Sequence, residues 1–175
     1  MEHTKIVEAV RSTTHEVLST MLSLSAVAEE SYVERNPPGP SDGIISVVGL
    51  AGSWMGTGNL CCSSETAIQL SSAMLMTEFT EVDDEVLDAM SELTNMIIGN
   101  FKTIAEESLG PLGLSIPTVL FGMQFRARSA GKENWSVVPF RVGENRLEIR
   151  ICMTRNRGLS HLNLQKLAAQ PAVSA

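Results

Sequence analysis

Asp88, Glu92, Asn95, Gly99 and Lys102 follow one another at i, i+4, i+7, i+11 and i+14. At about 100° per residue they form one line along a single helix face. The apolar residues of the same stretch, Val86, Leu87, Met90, Leu93, Ile97, Phe101 and Ile104, fall on the opposite stripe and are the expected core face. Charged residues on the outside of a helix usually form no more than a solvated surface. Two residues argue for more here. A glycine inside a helix costs about 1 kcal/mol relative to alanine. On a solvent face no internal packing asks for it, so Gly99 points to close approach by something outside the chain. Asparagine competes for backbone hydrogen bonds and is a poor default in a helix interior, which singles out Asn95.

Other chemistry is poorly supported. Gly52-Ser-Trp-Met-Gly56-Thr-Gly58 lacks the Lys-Ser/Thr ending of a phosphate loop and lies inside a strand pair, where glycines permit bulges or close backbone approach. No G-x-S-x-G elbow appears, so a Ser-His-Asp hydrolase has no basis. Cys61, Cys62 and Cys152 have no CxxC spacing, and His3, His15 and His161 are scattered, so buried thiols are expected and no metal site.

The elements that position the line can be read from periodicity. Residues 4–28 carry Ile6, Val7, Val10, Thr14, Val17, Leu18, Met21 and Leu24 at three-and-four spacing, an amphipathic helix. Glu34 to Gly43 holds three prolines and two glycines and reads as an exposed connector. Ile44 to Leu50 and Trp54 to Cys62 form a hairpin around Ala51-Gly52-Ser53. Ser63 or Ser64 caps a helix over Glu65 to Met76. Asp83, Asp84 and Glu85 start a longer helix that runs to about Ser108 and stops at LGPLG. Strands are expected near Ser115 to Ala127, Asn134 to Val142 and Asn145 to Thr154, with Gly143-Glu-Asn145 as a turn. Ile45-Ser-Val-Val-Gly-Leu50 matches Trp135-Ser-Val-Val-Pro-Phe140, and both open a hairpin after a long helix. Together with the similar helices around Glu16 and Glu92, this predicts an α/β sandwich of pseudo-two-fold helix-plus-hairpin repeats, its long helices packed on a mainly antiparallel sheet.

At 175 residues, 43% hydrophobic and 19% charged, the chain is long enough for one domain, over 1–154, with a core that needs no staple. Residues 155–175 read as a flexible or part-helical tail. Net charge is −7, and although Arg126, Arg128, Lys132, Arg141, Arg146, Arg150, Arg155 and Arg157 cluster in the last third, nucleic-acid binding is not expected. No apolar run is long enough to span a membrane, and the first residues lack a signal peptide's apolar core, so a cytoplasmic location is expected.

Asp88-x-x-x-Glu92-x-x-Asn95, continuing Met-Ile-Ile-Gly99-Asn with Pro117 further on, resembles the signature of the CheC/CheX-type chemotaxis phosphatases, and the layout with one full motif is most similar to the CheX branch. The resemblance covers about residues 4–154. It implies hydrolysis of the aspartyl phosphate on a phosphorylated CheY-like response regulator in two-component signalling, with Asn95 holding the attacking water and Glu92 pairing with a regulator lysine. Asp88 would be a peripheral partner contact, and Gly99 a point of close approach by the partner. It also implies a homodimer, and it places the Mg2+ on the regulator, so no cofactor is expected on this chain. Glu16 and Ser19 repeat the Glu92–Asn95 spacing, but serine replaces asparagine, so that copy is expected to be inactive. The rival readings are a non-catalytic scaffold of the same fold that docks a signalling partner, and an acidic protein that binds a partner through its late arginines.

Overall fold

Each half of the chain lays down a long helix, a broken edge strand and a hairpin. The computed structural model describes residues 1–35, 37, 42–123 and 134–156. The first half runs α1 (His3–Met21), β1 (Val27–Ala28), β2 (Tyr32–Glu34), β3 (Asp42–Gly52) and β4 (Trp54–Cys62). After α2 (Ser64–Leu75), the second runs α3 (Asp84–Leu109), β5 (Leu112–Leu114), β6 (Thr118–Met123), β7 (Trp135–Val142) and β8 (Asn145–Arg155). All strand pairs are antiparallel, in the order β1-β7-β8-β4-β3-β5, with β2 also on β7 and β6 also on β3. The hairpins meet at β4 and β8, and each half's edge strand pairs with the other half's hairpin. This is the pseudo-two-fold α+β layout that the repeat predicts.

The symmetry extends to the irregularities. On β7, the edge pairs Ala28 with Phe140 but Tyr32 with Val137, a slip of one residue. On β3, it pairs Leu50 with Leu114 but Val47 with Thr118, the same slip. The bulges fall opposite Pro139 and Gly49, the matched positions of the repeated strand. Pro139 has no N–H to donate and accepts from Glu29 N at 2.9 Å. At Gly49 the N–H is satisfied by Ser115 Oγ at 2.9 Å.

One face of the sheet carries the helices. Ile44, Val48 and Leu50 of β3 and Leu147, Ile149 and Ile151 of β8 share a buried core with Val10 and Leu18 of α1 and Met90, Ile97 and Phe101 of α3. Gly58 of β4 lies under α3, where a Cβ would stand 2.8 Å from Ile98 Cδ1. Among the described residues, no helix is long and apolar enough to cross a membrane.

Several boundaries differ from the sequence expectations. α1 ends at Met21, well short of residue 28. Ser23 turns left-handed at φ 56°, and Leu24, off the helix, still packs on the core, so the apolar spacing outlasts the helix. Met21 is exposed. β1 and β2 were not expected, because they are very short and wholly exposed, with no alternation to read. Glu34 ends β2 and Asp42 starts β3, which shortens the connector. The strand expected from Ser115 starts only at Thr118, as β6; β5, at Leu112–Leu114, was not expected, because it lies in the stretch read as the helix stop, and residues 124–127 lie outside those described, as does the tail from 157. Ile104 is exposed rather than core. The buried face of α3 rotates from Val86, Ala89 and Leu93, where α2 also packs, toward Ile98, Ala105 and Leu109, leaving Ile104 uncovered.

Candidate functional site

Both ends of α3 are anchored by side chains. Asp83 Oδ1 accepts from Val86 N at 2.9 Å, while Asp84 and Glu85 occupy the first turn at the positive end of the helix dipole. Ser71 Oγ of α2 donates to Val86 O at 3.4 Å. At the far end Gly110, at φ 78°, donates to Glu106 O at 3.0 Å, and Glu106 Oε1 accepts from Leu112 N at 2.7 Å. That backbone bond first, and Lys102 second, hold the Glu106 carboxyl below the usual carboxylate range.

Between these anchors the core stripe fixes which face is left outward. Asp88 and Glu92 are exposed; Asn95, Gly99 and Lys102 are half-buried. The predicted line is therefore one stripe, but only its first half stands fully in solvent. Glu92 and Asn95, three residues apart, are surface neighbours with roughly 5–6 Å between Cβ atoms. Among the described residues, neither side chain, nor that of Asp88, makes a hydrogen bond or ion pair within the chain. Lys102 is different: its Nζ lies 2.8 Å from Glu106 Oε2, which draws it away from the acidic end of the line. A Cβ on Gly99 would meet only Leu114 Cδ1, at 3.8 Å, an ordinary contact. Nothing among the described residues requires glycine there.

The matching face of α1 is built otherwise. Glu16, Ser19 and Thr20 are exposed, but Ser19 Oγ donates to Glu16 O at 3.2 Å and Thr20 Oγ1 donates to the same carbonyl at 2.6 Å. The hydroxyls are turned back onto their own helix.

The remaining features are structural. Cβ atoms on Gly52 or Gly56 would run into the carbonyls of Pro111 or Cys152, so these glycines serve close strand approach. Burial pushes the Cys61 thiol up to about 12 and raises that of Cys62 as well, which keeps both protonated and unreactive. Arg141 and Arg146 pair with Glu29, Arg150 pairs with Glu148 at 2.6 Å, and Arg155 stacks over Trp54 at 5.6 Å, so each described arginine of the basic third has a partner within the fold. Arg126, Arg128, Lys132 and Arg157 lie outside the described residues. Among the described residues no group of three His, Cys, Asp or Glu could hold a metal ion. Beside the line, the sequence singles out Pro117 but gives no sign of the corner from Leu114 to Ile116 that precedes it.

The family described as chemotaxis phosphatase CheX matches residues 44–141. The CheY-P phosphatase CheX of Thermotoga maritima is 27% identical over 128 residues, covering 73% of this chain and 82% of that protein. The crystal structure of a chemotaxis protein CheX from Desulfovibrio desulfuricans is 25% identical with a TM-score of 0.77, over 85% of this chain and 99% of that one. A CheX-CheY-BeF3-Mg2+ complex from Borrelia burgdorferi is 24% identical with a TM-score of 0.68, over 86% of this chain and 98% of that one.

Proposed function

Because the chain belongs to the CheX chemotaxis phosphatase family, we propose that it accelerates hydrolysis of the aspartyl phosphate on a CheY-like response regulator. Asn95 positions the attacking water, and Glu92 anchors the regulator through a lysine beside its phosphoryl group. A relative at 27% identity is a CheY-P phosphatase, and a relative of the same fold was crystallised with CheY.

The reaction asks little covalent chemistry of this chain. The water oxygen attacks phosphorus, the aspartyl oxygen leaves as carboxylate, and inorganic phosphate departs. An acyl phosphate is already reactive, so the gain lies in holding one water in line. A carboxamide can accept from and donate to that water without placing a second negative charge beside a dianionic phosphoryl group. A carboxylate one turn away can form a charge-assisted pair with a partner ammonium. Magnesium for this reaction belongs to the regulator.

The observation that carries the reading is that Glu92 and Asn95 share an outward turn of a helix anchored at both ends and are engaged by nothing else among the described residues. Decay of a phosphorylated CheY-like regulator from the same genome, followed with wild type and with Asn95→Ala, tests it. Acceleration by wild type alone is expected. Binding without acceleration by either protein would replace the phosphatase with the adaptor reading.

A further inference from the structure

The line on α3 ends against an apolar corner. β5 runs back along the helix, from Leu112, whose N–H reaches the Glu106 carboxylate, to Leu114, which lies beside Gly99. Across the bulge four edge residues, Leu114 to Thr118, advance only as far as three residues of β3, so two more residues carry the chain about 5 Å, or about three helical residues back from Gly99, roughly level with Asn95 and Met96. The residue there is Ile116, which is 87% exposed. Single exposed apolar residues are ordinary, but this one is held firmly in place. Ser115 N donates to Gly49 O at 2.9 Å, Ser115 Oγ accepts from Gly49 N at 2.9 Å and donates to Ile116 O at 2.9 Å, and Pro117 fixes the next φ. The one-residue slip between β5 and β6 thus presents an isoleucine on a braced bulge. Its pseudo-symmetric counterpart, between β1 and β2 beside α1, presents Glu29-Glu30-Ser31. The apolar bulge stands beside the helix that carries the asparagine, and the acidic bulge beside the helix that carries serine.

We propose that Ile116 is an apolar anchor for the response regulator, covered by apolar side chains of that partner when the two proteins dock, so that it contributes to affinity and not to the chemical step. The inference rests on the phosphatase reading. It is tested by titrating the beryllofluoride-loaded CheY-like receiver domain from the same genome with wild type, Ile116→Ser, Ile116→Glu and Glu30→Ala, with sedimentation of each protein alone. Ile116→Ser should raise Kd about tenfold and Ile116→Glu further, with turnover at saturation within about twofold of wild type. Glu30→Ala should leave Kd unchanged. Since Ile116 hardly packs on the fold, the variants should melt like wild type. Unchanged Kd in both Ile116 variants, or an equal loss in Glu30→Ala, overturns the proposal. A dimer split by Ile116→Glu with Kd unchanged also overturns it, assigning the bulge to a second copy of the chain. Wild type that neither binds nor dephosphorylates any candidate regulator refutes the phosphatase reading before a variant is tried, and the anchor falls with it.

Discussion

Glu16 and Ser19 stand on α1 at the spacing that Glu92 and Asn95 keep on α3, within halves that share element order and even the position of a bulge in the edge strand. The faces nevertheless differ in each feature a water-positioning site needs. α3 is capped by the Asp83 side chain and runs 26 residues, whereas α1 follows Glu2, which makes no side-chain cap, and runs 19. Asn95 makes no side-chain bond among the described residues, whereas Ser19 donates to the Glu16 carbonyl. Duplication has kept the layout, which depends on burial, and let the outer faces diverge, because surface substitutions cost the fold little.

The sharpest test of that contrast removes the carboxamide. Asn95→Ala should lower turnover of a phosphorylated regulator by about 10²–10³-fold, the scale seen when one positioned polar group is deleted from a reacting centre. Affinity should stay within about twofold and the melting temperature should not move, because Asn95 holds nothing within the described fold. Glu92→Ala should act on binding as well, cutting kcat/KM about tenfold or more. Its deficit should shrink in high salt, where the wild-type ion pair is itself screened. Equal effects of the two substitutions on affinity and turnover would erase the division of labour between them.

Two glycines then separate function from packing. Gly99→Ala should stabilise the fold by about 0.5–1 kcal/mol, since the new methyl meets only Leu114 at 3.8 Å and helix propensity improves. If the partner approaches here, affinity for the regulator should fall several-fold in the same variant. Gly58→Ala should do the reverse, destabilising by about 1–3 kcal/mol because its Cβ would press on Ile98 at 2.8 Å. Chemical denaturation of both variants beside regulator titrations reads the opposed signs.

What was legible in the sequence follows from what is local. Ser63 and Asp83 announce helix starts because a cap needs only its own next three residues, and Trp54 to Cys62 was readable to the residue. The polar line was legible because it lies on one helix and needs only a period of 3.6. The break at Ser115–Pro117 was not, because it depends on Gly49, 66 residues away in the chain, whose N–H the Ser115 hydroxyl takes up. Ile116 was therefore hidden beside a site whose other members were plain. The end of α1 was hidden for a related reason: Leu24 continues the apolar spacing after the backbone has left the helix.

That last point makes the smallest predicted effect the most informative. Adding the missing group, Ser19→Asn, should not create a second site. Counting from Glu16–Ser19 as from Glu92–Asn95, the position matching Gly99 is Ser23, and there α1 has already stopped at Met21, with Ser23 left-handed at φ 56°. The first copy therefore lacks the last turns against which a partner would lie, and an added carboxamide would have no docked phosphoryl group to serve. Turnover by Ser19→Asn should stay within about twofold of wild type, and Ser19→Asn in an Asn95→Ala background should remain as slow as Asn95→Ala alone. Recovery of even a tenth of wild-type turnover in that double variant would mean that side-chain reach, and not the length of the helix, is what separates the two halves.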